Sequence, residues 1–277
     1  MVVVTAAELT ALHGAVLHPW TADDVRPAAV LLANDQRGSL NVSDVLLGFD
    51  ASHHNRGIDL RRARGEGMEF FCARVTSGGL ARDQHQNGRP PVVDELWQHH
   101  RDLGRELWTD TFSAYHRIGA AQGVQEQVDM CCRHMGDLSI PLMLDHEAGA
   151  GSIDRFLAVR DEFSARGVRC YLAYWPDWYW ESLRPRPDLS RLGMSLARSE
   201  YTGRKHTATP QELYRGVQGH EWGDYGGGTT VLLQFTDSAR MGGYAPVCAD
   251  AFRGGRDEYV RMLYGRSRAA ATLLVND

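Results

Sequence analysis

From Val45 onward the chain settles into a rhythm in which short apolar runs alternate with longer amphipathic stretches. The runs at 45–50 (VLLGFD), 69–75, 111–116, 139–145, 169–174, 193–197 and 231–236 are the expected strands, with an eighth near 246–250. Helical patterns fill 94–107, 122–135, 153–166 and 210–217. Such alternation requires a parallel sheet, open or closed, because parallel neighbours need long crossovers that helices supply. No GxGxxG or GxxxxGK[ST] follows any strand, so the common nucleotide-binding open sheets lose support and a closed barrel fits better than a doubly wound sheet. The expected fold is therefore α/β, a (β/α) barrel of the TIM-like type, over 45–266. Residues 1–44, with helix-start residues Thr5 and Thr21, read as a small helical prefix, and 267–277 as a tail.

Composition narrows the partners. A hydrophobic fraction of 43% permits a large core, and a net charge of −5 without any basic block argues against nucleic acid. The five cysteines are scattered without a CxxC pair, so neither a disulfide framework nor a zinc knuckle is expected. The N-terminus lacks the positive region of a signal peptide, and no run reaches the roughly 18 apolar residues of a membrane helix. Synthesis in the cytoplasm, without membrane insertion, is the expectation.

Several strands end in polar residues, and in a barrel the carboxyl ends of the strands form the active face. GFD ends at Asp50, AYH at His116, and LMLDHE carries Asp145 and Glu147. Residues two apart on a strand share a face and lie about 6.6 Å apart along the chain. Asp145 and Glu147 should then face the mouth together, with His146 turned away. Two neighbouring carboxyls cannot both ionise freely, so one should keep its proton near neutral pH, as a hydrolase acid requires. Short separation suits retention at a sugar carbon better than inversion. YWPDWYW (174–180) places Tyr174 and Trp175 just past a strand, where aromatic rings suit the C–H faces of sugars. His53, His54, His99 and His100 show no metal-binding spacing, and neither metal nor cofactor is expected.

In order along the chain, these segments resemble glycoside hydrolase family 25, the lysozymes of bacteria and phages. GFDAS resembles that family's opening, Arg74-Val75-Thr76-Ser77-Gly78 its Arg-x-Thr-x-Gly turn, and Asp83 its next acidic position. AYH (114–116) is similar to its Tyr-His, Gln127 to its helix Gln, and PLMLDHE to its Asp-x-Glu strand. LLQFTDS resembles its late Trp-Gln segment and VCADAF its closing motif. Leu233 and Leu196 stand where that family often has Trp, and Cys248 overlays an Asp that Asp250 is expected to replace. These changes are expected around the sugar subsites.

The resemblance implies an irregular barrel that cleaves the β-1,4 bond between N-acetylmuramic acid and N-acetylglucosamine in peptidoglycan strands, without a metal. It implies Glu147 as general acid and Asp145 as the group that orients the substrate's own N-acetyl nucleophile. Asp50 and Asp250 would hold substrate and shape the field. Tyr115, His116, Arg74, Tyr174, Trp175 and Gln234 would line the site. A lytic enzyme of this kind without a signal peptide fits a phage endolysin, released at lysis through a holin-type hole. The alternatives are a non-catalytic wall-binding or phage structural module on the same fold, and a metal-dependent barrel amidase or deacetylase.

Overall fold

A computed structural model describes residues 45–83, 87–201, 208–217 and 219–265. The expected prefix 1–44 and tail 267–277 lie outside them.

Eight strands close into a barrel: β1 (Val45–Ala51), β2 (Phe70–Ser77), β4 (Phe112–Arg117), β5 (Leu142–Asp145), β6 (Cys170–Tyr174), β7 (Leu196–Ser199), β8 (Thr230–Met241) and β9 (Tyr244–Arg253). A two-residue strand, β3 (Val92–Val93), pairs antiparallel with the end of β2. The neighbours from β1 round to β8 are parallel. β9 runs against both β8 and β1 and completes the ring. The eighth strand anticipated near 246–250 is thus longer and reversed. Its reversal follows from the turn, since Gly242 and Gly243 both have positive φ (56° and 71°), which suits a tight two-residue hairpin.

The chain alternates between two environments. On β1, Phe49 and Ala51 face an outer layer while Leu46 faces the barrel interior. All eight residues of β2 are buried, as expected for a barrel strand covered on both sides. Outside, Phe49 stacks on Phe71 at 4.6 Å, and Trp108 packs edge-on to Phe49 at 5.6 Å.

The helices relevant here are α1 (Leu60–Gly65), α2 (Trp97–Leu107), α3 (Val124–Met135), α4 (Ile153–Ala165), α5 (Asp177–Ser182), α6 (Pro210–Leu213) and α7 (Arg256–Tyr264). The pattern at 210–217 gives a helix that stops at Leu213, because Tyr214 is extended and Gly216 takes φ +94°. α7 fills the barrel end opposite the site. There Tyr259 stacks on Phe70 at 4.6 Å and meets Phe252 edge-on at 5.0 Å. Arg169 Nε donates to Leu263 O at 2.7 Å and satisfies a carbonyl at the end of α7.

Leu196 and Leu233 belong to the outer layer and not to the mouth. The expectation that they alter the sugar subsites is corrected by strand alternation. Gln234, one residue after Leu233, is the one that faces inward.

Candidate active site

The carboxyl ends of the parallel strands bring Asp50, Arg74, Tyr115, Asp145 and Tyr174 to one mouth. Gln234 and Asp250 enter from the β8–β9 pair, where they stand opposite each other. All seven are buried or nearly so.

Asp50 Oδ2 accepts from Gln234 Nε2 at 2.6 Å. Gln234 Oε1 in turn accepts from Tyr174 Oη at 3.0 Å and Tyr201 Oη at 2.8 Å. Two hydroxyl donors on one oxygen fix the amide, so its NH2 faces Asp50. Burial pushes the Asp50 carboxyl up to about 6, although the Gln234 bond and the Arg74 charge oppose the rise. Cys248 stands opposite Asp50 in the β1–β9 ladder, and Asp250 two residues on stands opposite Gly48. Burial, with Asp50 adding to it, raises the Asp250 carboxyl well above its ordinary range.

Asp145 ends β5, and Glu147 follows two residues later on the same face. Burial and the Glu147 charge raise the Asp145 carboxyl well above its ordinary range, with Arg117 opposing. Burial also raises Glu147, against Arg117, Arg74 and Arg89. Arg117 Nη1 lies 3.2 Å from Glu147 Oε1. Asp145 Oδ1 is buried without a hydrogen-bond partner among the described residues. Buried carboxyl oxygens are seldom left so, and those that are often serve a ligand. Burial thus biases both carboxyls toward the protonated form and leaves an open acceptor oxygen beside them.

The loop after Glu147 is held tightly. Gly149, at φ +84°, donates to Asp83 Oδ2 at 2.6 Å, and its carbonyl accepts from Ala81 and Ala120. A cleft of about 420 Å³ opens beside it, lined by Ala81, Asp83, Gly149, Tyr179, Ser182 and Leu183. Trp178, exposed on α5, neighbours Tyr179.

Two residues expected at the mouth are elsewhere. His116 faces the outer layer, bonded to Thr76 Oγ1 at 2.8 Å and Gln127 Oε1 at 3.1 Å, with its ring edge-on to Phe163. Trp175 is fully buried outside the barrel, 3.9 Å from the His146 ring. Each follows an inward tyrosine, and adjacent residues on a strand point to opposite faces. By the same alternation His146 turns outward and bonds Gly151 O at 3.1 Å.

Residues not singled out from the sequence also belong here: Arg117, Asp94 and Tyr201. Arg117 was accessible to the period-two argument, two residues after Tyr115. Among the described residues no group of three His, Cys, Asp or Glu is arranged to hold a metal ion, and no helix is long and apolar enough to cross a membrane.

No protein-family model matches the sequence, and no curated protein matches it. Solved structures share its fold. The lysozyme of Streptomyces coelicolor is 17% identical, with TM-score 0.58 over 79% of this chain and 97% of its own. A family GH25 lysozyme from Aspergillus fumigatus is 15% identical, with TM-score 0.55 over 79% and 99%. The catalytic domain of a Listeria monocytogenes bacteriophage endolysin is 19% identical, with TM-score 0.53 over 83% and 100%.

Proposed function

We propose that this barrel is a muramidase of glycoside hydrolase family 25 that cleaves peptidoglycan between N-acetylmuramic acid and N-acetylglucosamine. The observation that carries the reading is the buried Asp145–Glu147 pair, whose carboxyls burial raises and whose Asp145 Oδ1 is an unpartnered acceptor. The ordered sequence resemblance and the lysozyme and endolysin names of the structural neighbours agree with it.

In the free protein the proton favours Asp145, since Arg117 beside Glu147 favours a carboxylate there. A sugar 2-acetamido N–H delivered to Asp145 Oδ1 stabilises the aspartate anion and leaves the proton to Glu147. Glu147 then protonates the leaving glycosidic oxygen while the oriented acetamido oxygen attacks the anomeric carbon. The glycosidic bond breaks as the carbon–oxygen bond of an oxazolinium ion forms. Water, deprotonated by Glu147, reopens that ring with net retention, a recognised variant of two-carboxylate hydrolysis. Asp50, fixed by Gln234, adds negative charge near the developing cation. Asp250 stands one position deeper, where burial and the Asp50 charge favour its neutral form. Arg74, Tyr115 and Tyr174 line the bound sugar. By the same reading the protein acts at the bacterial wall as a phage endolysin, reaching it through a holin-type hole.

Digestion of purified peptidoglycan, followed by borohydride reduction and mass analysis, tests this. The expected products carry reduced muramic acid ends. Free peptides, new amino groups or reduced glucosamine ends would overturn it.

A further inference from the structure

We propose that Asp94 is a positioning residue of this site, holding the Arg74 guanidinium beside the mouth acids and offsetting part of its charge. The inference takes its activity assay from the muramidase reading, but its geometry is independent.

Asp94 directly follows the two-residue strand β3, and its N–H donates to Val75 O at 2.9 Å, which clips it to β2. Its side chain is fully buried. Oδ2 accepts from Arg74 Nε at 3.0 Å and from the His53 backbone N–H at 2.9 Å, with Arg74 Nη2 also 3.0 Å away. Oδ1 accepts from Leu96 N at 3.1 Å. A carboxylate with this many donors is held in one place.

Arg74 is thereby committed. Its hydrogen bonds among the described residues go to Asp94 and to His53 Nδ1. Its charge nevertheless acts on Asp50, Tyr115, Asp145 and Glu147, and on His54. Arg117 and Arg89 face Glu147 from other elements. An arginine without Asp94 would close onto the mouth carboxylates and occupy the oxygens that substrate needs. With Asp94 it supplies a field and leaves those oxygens open.

The test is the pH profile of kcat/KM on peptidoglycan, for Asp94→Asn, Arg74→Gln and the double variant. Asp94→Asn should lose about tenfold to a hundredfold in kcat/KM, as a displaced charge does. Its basic limb should move to lower pH, because an unneutralised Arg74 favours the Glu147 carboxylate. Arg74→Gln should move that limb to higher pH. The double variant should match Arg74→Gln within about twofold, since residues acting as a unit are non-additive. Multiplicative losses, or an unmoved limb in Asp94→Asn, would overturn the proposal.

The same shifts can be read without turnover, by NMR titration of the Glu147 carboxyl carbon. A protein inactive on peptidoglycan would therefore sink the muramidase reading while still deciding this one. Should Asp94→Asn fail to fold, Asp94→Glu keeps the charge but displaces its oxygens. Turnover should then fall with the basic limb in place, and wild-type turnover or a moved limb would count against the proposal.

Discussion

Asp145 and His146 are adjacent in the chain, both buried, and belong to regions with opposite behaviour. The inner face of the barrel mouth gathers Asp50, Asp145, Glu147 and Asp250, whose carboxyls burial raises. The outer layer buries His116 and His146, pushed down to about 4 and about 3, also by burial. Both regions favour neutral groups, and both hold buried polar atoms without a partner among the described residues, His146 Nδ1 and Trp175 Nε1 outside and Asp145 Oδ1 at the mouth. Outside, His116 is bonded at both ring nitrogens. At the mouth a carboxyl oxygen stays unpartnered. The contrast is one of facing: His116 ties the wall together from outside, whereas the open Asp145 oxygen lies on the inner face of the mouth, where a ligand can reach it.

The two regions also impose opposite pH dependence. The mouth acids have folded pKa values above their unfolded ones. Their stabilising contribution is full below about pH 4 and lost as pH rises through the folded values, about 6 for Asp50. The histidines have folded values below the unfolded one. Their contribution is present above about pH 6.5 and is lost as pH falls toward about 4 and about 3.

Four substitutions sharpen the contrast. Glu147→Gln should cost about a thousandfold or more in turnover, measured as new reducing ends, with no loss of thermal stability. His116→Ala should do the reverse. It should lose about 2–4 kcal/mol in urea unfolding, because Thr76 and Gln127 are left with unmet groups. Its turnover per folded molecule should stay within about threefold, and a collapse of kcat with intact stability would place His116 back in the site.

Asp50→Asn should gain about 2–3 kcal/mol of stability at pH 7, the size expected for a carboxyl raised to about 6, and lose activity. Urea titrations at several pH values should show that gain fading toward pH 4, and a gain constant with pH would contradict the assignment. Trp178→Ala, at an exposed ring beside the cleft, should raise KM about two- to fivefold. Its unfolding free energy should stay within about 0.5 kcal/mol of wild type.

Strand positions were legible in the sequence because burial on both sides of a barrel wall leaves long apolar runs. The facing of Asp145, His146 and Glu147 followed from period two alone. The same rule, applied to Tyr115-His116 and Tyr174-Trp175, shows that only the first of each pair can face the mouth. Residue chemistry drew attention to the second as well, and geometry overrules it. The reversal of β9 depends on positive φ at Gly242 and Gly243, which a run of apolar residues does not encode. Asp94 was hidden for another reason. It sits beside a strand of two residues, too short for any periodicity, and acquires its role through contacts with Arg74 and His53.

The central claim is that the mouth supplies its proton from Glu147, and leaving-group dependence tests it most directly. Glu147→Gln would be assayed on peptidoglycan and on a dinitrophenyl glycoside of N-acetylmuramic acid, whose departing phenolate needs no proton. The account predicts loss of about a thousandfold on peptidoglycan but within about tenfold on the activated glycoside, scored by phenolate release. Equal losses on both substrates, or none on peptidoglycan, would contradict it.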